Sequence, residues 1–201
     1  MTRIMNRRGS ARHCCSALIL SGFLLSLGVL DLVPPKADAL TTAELAKGVS
    51  LDTMRRVGAW ANQGDGKAQL ELAVIYQLDR KWRDLAQARH YFTLAAAQGY
   101  AAGQYMAGRF AYGGRGGTRD YEEAFRWFHA AAEQGHRGAQ AQLGLLYHKF
   151  NYRPSHLVHA YKWASLGGDG YHLDRLERAL TIEQILEAQK LAREWEPSGR
   201  R

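Results

Sequence analysis

The sequence predicts an all-α protein built as an array of helical repeats, and three observations carry that reading. The run AAAQG at 95–99 returns as AAEQG at 131–135 and is preceded by ANQG at 61–64, which spaces Gly64, Gly99 and Gly135 by 35 and 36 residues. A near-constant period of this size marks units that cannot bury an apolar face alone and complete their core by stacking. Within the units, Ala88, Tyr91, Phe92 and Ala95 fall at i, i+3, i+4 and i+7, as do Ala124, Trp127, Phe128 and Ala131, and then Ala160, Trp163, Ala164 and Gly167. Each set is one stripe on a helix, where small residues let neighbouring helices approach and the large ring fills the gap. The helix ends are punctuated with equal regularity. Asp84 with Gln87 and Asp120 with Glu123 are N-cap and N3 pairs able to satisfy the orphan amides of a first turn, and the three glycines stand where a left-handed C-terminal residue is wanted.

Taken in order, residues 1–39 read as a signal peptide. Arg3, Arg7, Arg8 and Arg12 form a positive segment, Ala17 to Val33 is almost wholly apolar, and Ala37-Asp38-Ala39 supplies the small residues of a cleavage site. The apolar run is short for a retained membrane anchor, which needs roughly 20 residues. Arg7-Arg8 is followed by Gly-Ser-Ala rather than the bulky apolar residue of a twin-arginine signal, which favours ordinary secretion. Residues 40–63 are expected to hold an N-terminal capping helix, within Leu45 to Asn62, and residues 64–171 the repeats. In the middle unit Gln104 to Tyr112 is the first helix, GGRGGT at 113–118 the connection and Tyr121 to Gln134 the second helix. In the third unit His156 occupies the cap position, so Ser155 after Pro154 is expected to cap instead. Residues 172–196 supply capping helices, Leu173 to Leu180 and Thr181 to Trp195. Thr181 with Gln184 forms a capping box, Ile182, Ile185, Leu186 and Ala188 to Leu191 an apolar face, and Glu183, Glu187, Lys190, Arg193 and Glu194 a polar outer face. The tail 197–201 is expected to be disordered.

The combination of AAAQG and AAEQG, AQLELAVIY at 68–76, AQLGLLY at 141–147 and GRGGTRD at 114–120 resembles the Sel1-like repeat family, a relative of the tetratricopeptide repeat, over roughly residues 59–171. The resemblance implies a right-handed α-solenoid of about three repeats whose concave face binds proteins or peptides. TIEQILEAQKLAREW is similar to the helix that closes many exported members. Several positions depart from the pattern. Ala111 replaces a tyrosine that Tyr76 and Tyr147 keep, Gly117 stands in place of valine, and the third unit carries KFNYRPSH as its connection and decays to GGDGY at 167–171.

Composition bounds the function further. Both cysteines, Cys14 and Cys15, lie in the signal segment, so a processed chain would have no disulfide, thiolate metal site or cysteine nucleophile. The formal charge of +8 includes five basic and two acidic residues of 1–39, and their removal leaves 22 basic against 17 acidic, or +5. That mild excess suits anionic envelope partners such as acidic polysaccharide, wall polymer or lipid headgroups, and is too diffuse to argue for nucleic acid. The expected partners are one or more envelope proteins, with anionic polysaccharide beside them. No stable membrane span is expected after cleavage, and the expected compartment is periplasmic or secreted.

The groove positions of related helical repeats, carried onto the first helices, give Lys67, Leu70, Val74 and Gln77; Ala102, Tyr105, Arg109 and Tyr112; and Gly138, Ala141, Leu145 and His148. Tyr105, Arg109 and Tyr112 stand out because tyrosine and arginine dominate binding hot spots, and His148, Lys67 and Gln77 extend the strip. GGRGGTR at 113–119 lacks a P-loop ending and follows no strand, so it reads as an interhelix turn. His156 and His159, with His148 and His172, lack the accompanying ligands of a zinc site, and no metal or cofactor is expected. No serine lies in a G-x-S-x-G turn, and Glu122-Glu123 sits at a helix start, where it favours the dipole. The expected activity is binding without catalysis, as an adaptor or regulator of an envelope process. The alternative is a factor that binds or processes cell-wall polymer or exopolysaccharide.

Overall fold

Stripes and caps place the helices where the repeat period puts them. In this computed structural model the described residues are 48–149 and 154–198, without the side chains of Pro154 and Ser155. The signal peptide with both cysteines and the start of the N-terminal cap lie outside them. Ser155, expected to cap the third unit's second helix, instead lies inside its first turn, because that helix already begins at Pro154. The helices are α1 (Leu51–Asn62), α2 (Gly66–Leu78), α3 (Leu85–Ala97), α4 (Ala101–Gly113), α5 (Tyr121–Glu133), α6 (Arg137–Lys149), α7 (Pro154–Gly167), α8 (Gly170–Glu177) and α9 (Ile182–Arg193). Three hairpins, α2–α3, α4–α5 and α6–α7, stack in sequence; α1 leans on α2, while α8 and α9 both close against α7.

Stacking completes the core. Phe92, Phe110 and Phe128 are fully buried, as are Ala88, Ala95, Ala124, Ala131, Ala160 and Ala164. The i+3 residues of the first two stripes behave differently. Tyr91 and Trp127 are half-buried, and Trp127 packs on the preceding unit while its Nε1 donates to Glu123 at 3.3 Å.

Asp84 accepts from the amides of Ala86 and Gln87, and Asp120 from that of Glu123. Glu123 does not complete a capping box. Its carboxylate takes Arg89 of the preceding unit at 2.6 Å, and Arg89 also donates to the Thr118 carbonyl. Gly64, Gly99 and Gly135 have φ of 90°, 87° and 85°, the left-handed region that a side chain resists. Gly116 (φ 69°) lies against the Leu85 carbonyl, so the GGRGGT glycines serve chain geometry.

A polar ladder joins the units. Gln69, Gln104 and Gln140 are buried, and their Nε2 groups donate to the carbonyls of Ala61, Ala96 and Ala132 at 3.2, 3.3 and 3.3 Å. Gln98 then donates to Gln69 at 2.8 Å and to the Gly64 carbonyl, and Gln134 donates to Gln104 at 2.7 Å and to the Gly99 carbonyl. Buried amides are thereby satisfied by the neighbouring repeat, which fixes the register of the stack. At the N-terminal end, buried Asp79 accepts from the amides of Val49, Lys81 and Trp82. Burial opposes its charge, but these backbone donors outweigh it and hold the carboxyl below its ordinary pKa.

Two expectations at the C-terminus need correction. Thr181 and Gln184 do form a capping box. Yet Ile182 and Leu186 are 74 % and 56 % exposed, because Ala188, with Ile185 and Leu191, is the side of α9 that meets α7. Of the tail expected to be disordered, 199–201 lie outside the described residues, but Ser198 is held against the array. Trp195 meets Trp163 edge-on at 5.9 Å, and the Ser198 amide and hydroxyl donate to the Glu133 carbonyl at 2.7 and 3.0 Å.

Candidate functional site

Helix α4 presents Tyr105, Arg109 and Tyr112 at i, i+4 and i+7, one above the other on a single face. Arg109 is exposed and its guanidinium carbon lies 5.7 Å from the centre of the Tyr105 ring. Tyr105 is half-buried in the joint between units, stacked on His136 at 4.5 Å and tilted against Phe128 at 6.1 Å. Gly138 on α6 leaves room for it, since a Cβ there would stand 3.1 Å from the Tyr105 Cζ.

His136 caps α6, its Nδ1 accepting the Ala139 amide at 3.2 Å. Burial pushes its pKa below the ordinary 6.5. A histidine held neutral by the fold contributes stability that is present above its unfolded pKa and lost as pH falls through the folded one. Acidification from about pH 7.5 to 5 is therefore expected to lower the melting temperature. His136→Asn, which keeps an acceptor at the cap but cannot titrate, should flatten part of that slope. An unchanged slope in this variant would remove His136 as a contributor.

Tyr112 belongs to a second group. Its ring meets Tyr121 edge-on at 5.3 Å, and Lys149 Nζ lies 5.3 Å from the centre of Tyr112 and 4.6 Å from that of Tyr121. Lys149 and Arg119 both donate to the Tyr121 hydroxyl, at 3.4 and 3.3 Å. His148, in the last turn of α6, turns toward the C-terminal helices, 6.4 Å from the ring of His172, which Asp169 holds at 2.7 Å. Burial, then the charges of Arg175 and His172, lower the His148 pKa.

Lys67 is exposed in the first turn of α2 and Gln77 half-buried in its last. Among the described residues neither shares a hydrogen bond or ring contact with the other four. The expected strip is thus a joint at Tyr105–Arg109–His136, a basic aromatic cluster around Tyr112, and outlying residues. Sequence spacing missed His136, Tyr121, Lys149 and Arg119, which lie at helix boundaries outside the groove positions of the first helices. Among the described residues no three His, Asp, Glu or Cys side chains converge as a metal site, and no helix is long and apolar enough to cross a membrane.

This geometry is that of a helical-repeat scaffold. The Sel1 repeat family matches residues 66–100 and 101–136. A protective antigen of uropathogenic Escherichia coli displaying an SLR fold superposes with a TM-score of 0.63 at 27 % identity, over 76 % of this chain and 36 % of that one. A Sel1 repeat protein from Oxalobacter formigenes superposes with a TM-score of 0.55 at 21 % identity, over 87 % of this chain and 80 % of that one. Residues 66–136 thus carry two Sel1 repeats within an α-solenoid, an architecture that serves as an interaction scaffold. An exopolysaccharide production negative regulator of Rhizobium meliloti (strain 1021) is 37 % identical over 62 residues, which are 30 % of this chain and 23 % of the relative. The matched stretch spans about a quarter of that relative's length.

Proposed function

We propose that the protein is an exported, periplasmic adaptor or regulator of an envelope process, acting by binding and without catalysis. The observation that carries this reading is the exposed Arg109 braced on Tyr105 beside a unit joint, with Tyr112 on the same helix face. A cation held over a ring in a rigid stack presents a directional donor that loses little freedom on binding. The Rhizobium relative, a negative regulator of exopolysaccharide production, supports control of surface-polymer production as the process. The residues preceding 40, read as a signal peptide, support the compartment.

The test is in-cell photocrosslinking from the exposed position 102, one turn before Tyr105 on the same face. One dominant protein adduct is expected, with its yield reduced about tenfold or more by Arg109→Glu, the loss typical of a hot-spot residue. Adducts to polysaccharide alone would move the reading to the polymer-binding alternative. A protein adduct indifferent to Arg109→Glu would remove this face from the interface.

A further inference from the structure

Beside the basic aromatic cluster lies a cleft of about 520 Å³, lined by Tyr121, Glu122, Phe125 and Arg126 on the first two turns of α5. Its volume is comparable to the roughly 300–1,000 Å³ of small-ligand sites, and among the described residues it is an open groove along one helix face. Its apolar wall is held from behind, because Phe125 meets Tyr147 edge-on at 5.2 Å and both rings pack on the core of α4–α7. Its edge is cationic. Arg119 and Lys149 converge on the Tyr121 hydroxyl, and Arg126 is exposed on the cleft itself. Glu123 is committed to Arg89, which leaves Glu122 as the carboxylate among the described lining residues.

We propose that this edge of the solenoid is a second docking site, and that its occupant is an acidic segment of a partner protein carrying one large apolar residue. The inference rests on the adaptor reading and adds the chemistry of a partner. The apolar residue enters against Phe125, and a neighbouring carboxylate meets Arg119 and Lys149 beside the Tyr121 hydroxyl. Aromatic anchors framed by arginine are the composition of binding hot spots, and a cationic rim selects an acidic flank. Lys149 and Arg119 also draw the Tyr121 phenol below its ordinary pKa, in keeping with positive potential at that oxygen. A peptide fits better than a sugar. A saccharide needs an open ring face, whereas Tyr121 already carries Lys149 at 4.6 Å, Arg119 at 5.9 Å and the edge of Tyr112.

The test is selection of a randomised 12-residue peptide library on protein produced from the full 201-residue chain. Enriched sequences should share a leucine or aromatic residue flanked by Asp or Glu. Affinity for the leading peptide should fall tenfold or more in Arg119→Glu/Lys149→Glu and in Phe125→Ser. It should hold in Arg175→Glu, a charge reversal on α8, with circular dichroism confirming the fold of each variant. Peptides lacking the acidic flank, or equally weakened by Arg175→Glu, would overturn the site. Binding lost only in Arg109→Glu would overturn it while leaving the adaptor reading intact. No enriched peptide, with or without retention on a polyuronate matrix such as alginate, would overturn both.

Discussion

Phe128→Ala is expected to destabilise the protein by about 3–5 kcal/mol, the range for removing a buried ring from a core that cannot fully collapse. Phe128 is 0 % exposed and sits where three helices meet, with Ala111 of α4 and Leu143 and Leu146 of α6 in the same cluster. Helix α4 comes close enough that a Cβ on Gly108 would stand 2.7 Å from the ring, so the neighbours are already near and leave little slack to fill a void. The ring also backs Tyr105, and its loss should loosen the Arg109 face together with the fold. Solenoid stability is a sum of unit and interface terms. Urea unfolding followed by circular dichroism should therefore show α4–α7 melting early, ahead of the first unit. A cost below about 1 kcal/mol would contradict the assignment of this ring as a core residue.

The second large effect pairs two glycines. Helices α6 and α7 touch through their backbones at Gly144, where a Cβ would lie 2.8 Å from the Ala164 amide nitrogen and 3.1 Å from the Ala160 carbonyl oxygen. Backbone cannot turn aside as a side chain can, so Gly144→Ala should cost about 1–3 kcal/mol through forced separation of the helices. Gly58, inside α1, has no atom within 4 Å of its would-be Cβ. Gly58→Ala should instead stabilise by about 0.5–1 kcal/mol, because alanine restricts the unfolded chain and suits a helix interior. Thermal melts of the two variants should shift in opposite directions. Shifts of the same sign would show that packing at the α6–α7 crossing is not what requires glycine.

Most of the scaffold was legible because its signals are local. A stripe such as Ala124–Trp127–Phe128–Ala131, a cap such as Asp120 and a glycine such as Gly135 each act within one or two helical turns; the stripe and the glycine recur in every unit and the Asp cap in the first two. The glutamine ladder was also present in the sequence, as Gln69, Gln104 and Gln140 at spacings of 35 and 36. Its meaning was hidden, because glutamine on a helix looks like solvated surface until a neighbouring unit supplies its partners. The candidate site was the least legible part. Tyr105, Arg109 and Tyr112 share a helix face by spacing alone. Whether a tyrosine on that face is open, or wedged against His136 of the following unit, depends on how closely the next hairpin packs.

The sequence by itself determined that this protein is an all-α stack of Sel1-type units, because period, stripe and cap are properties of residues near one another in the chain. Tertiary structure alone decided three things. Glu123 abandons its cap for Arg89 of the preceding unit, Ile182 and Leu186 face outward, and Lys149 comes from one hairpin to share Tyr112 and Tyr121 with another. Each depends on the separation and register of two helices, set by the sum of the contacts across their interface and written in no single segment of the chain.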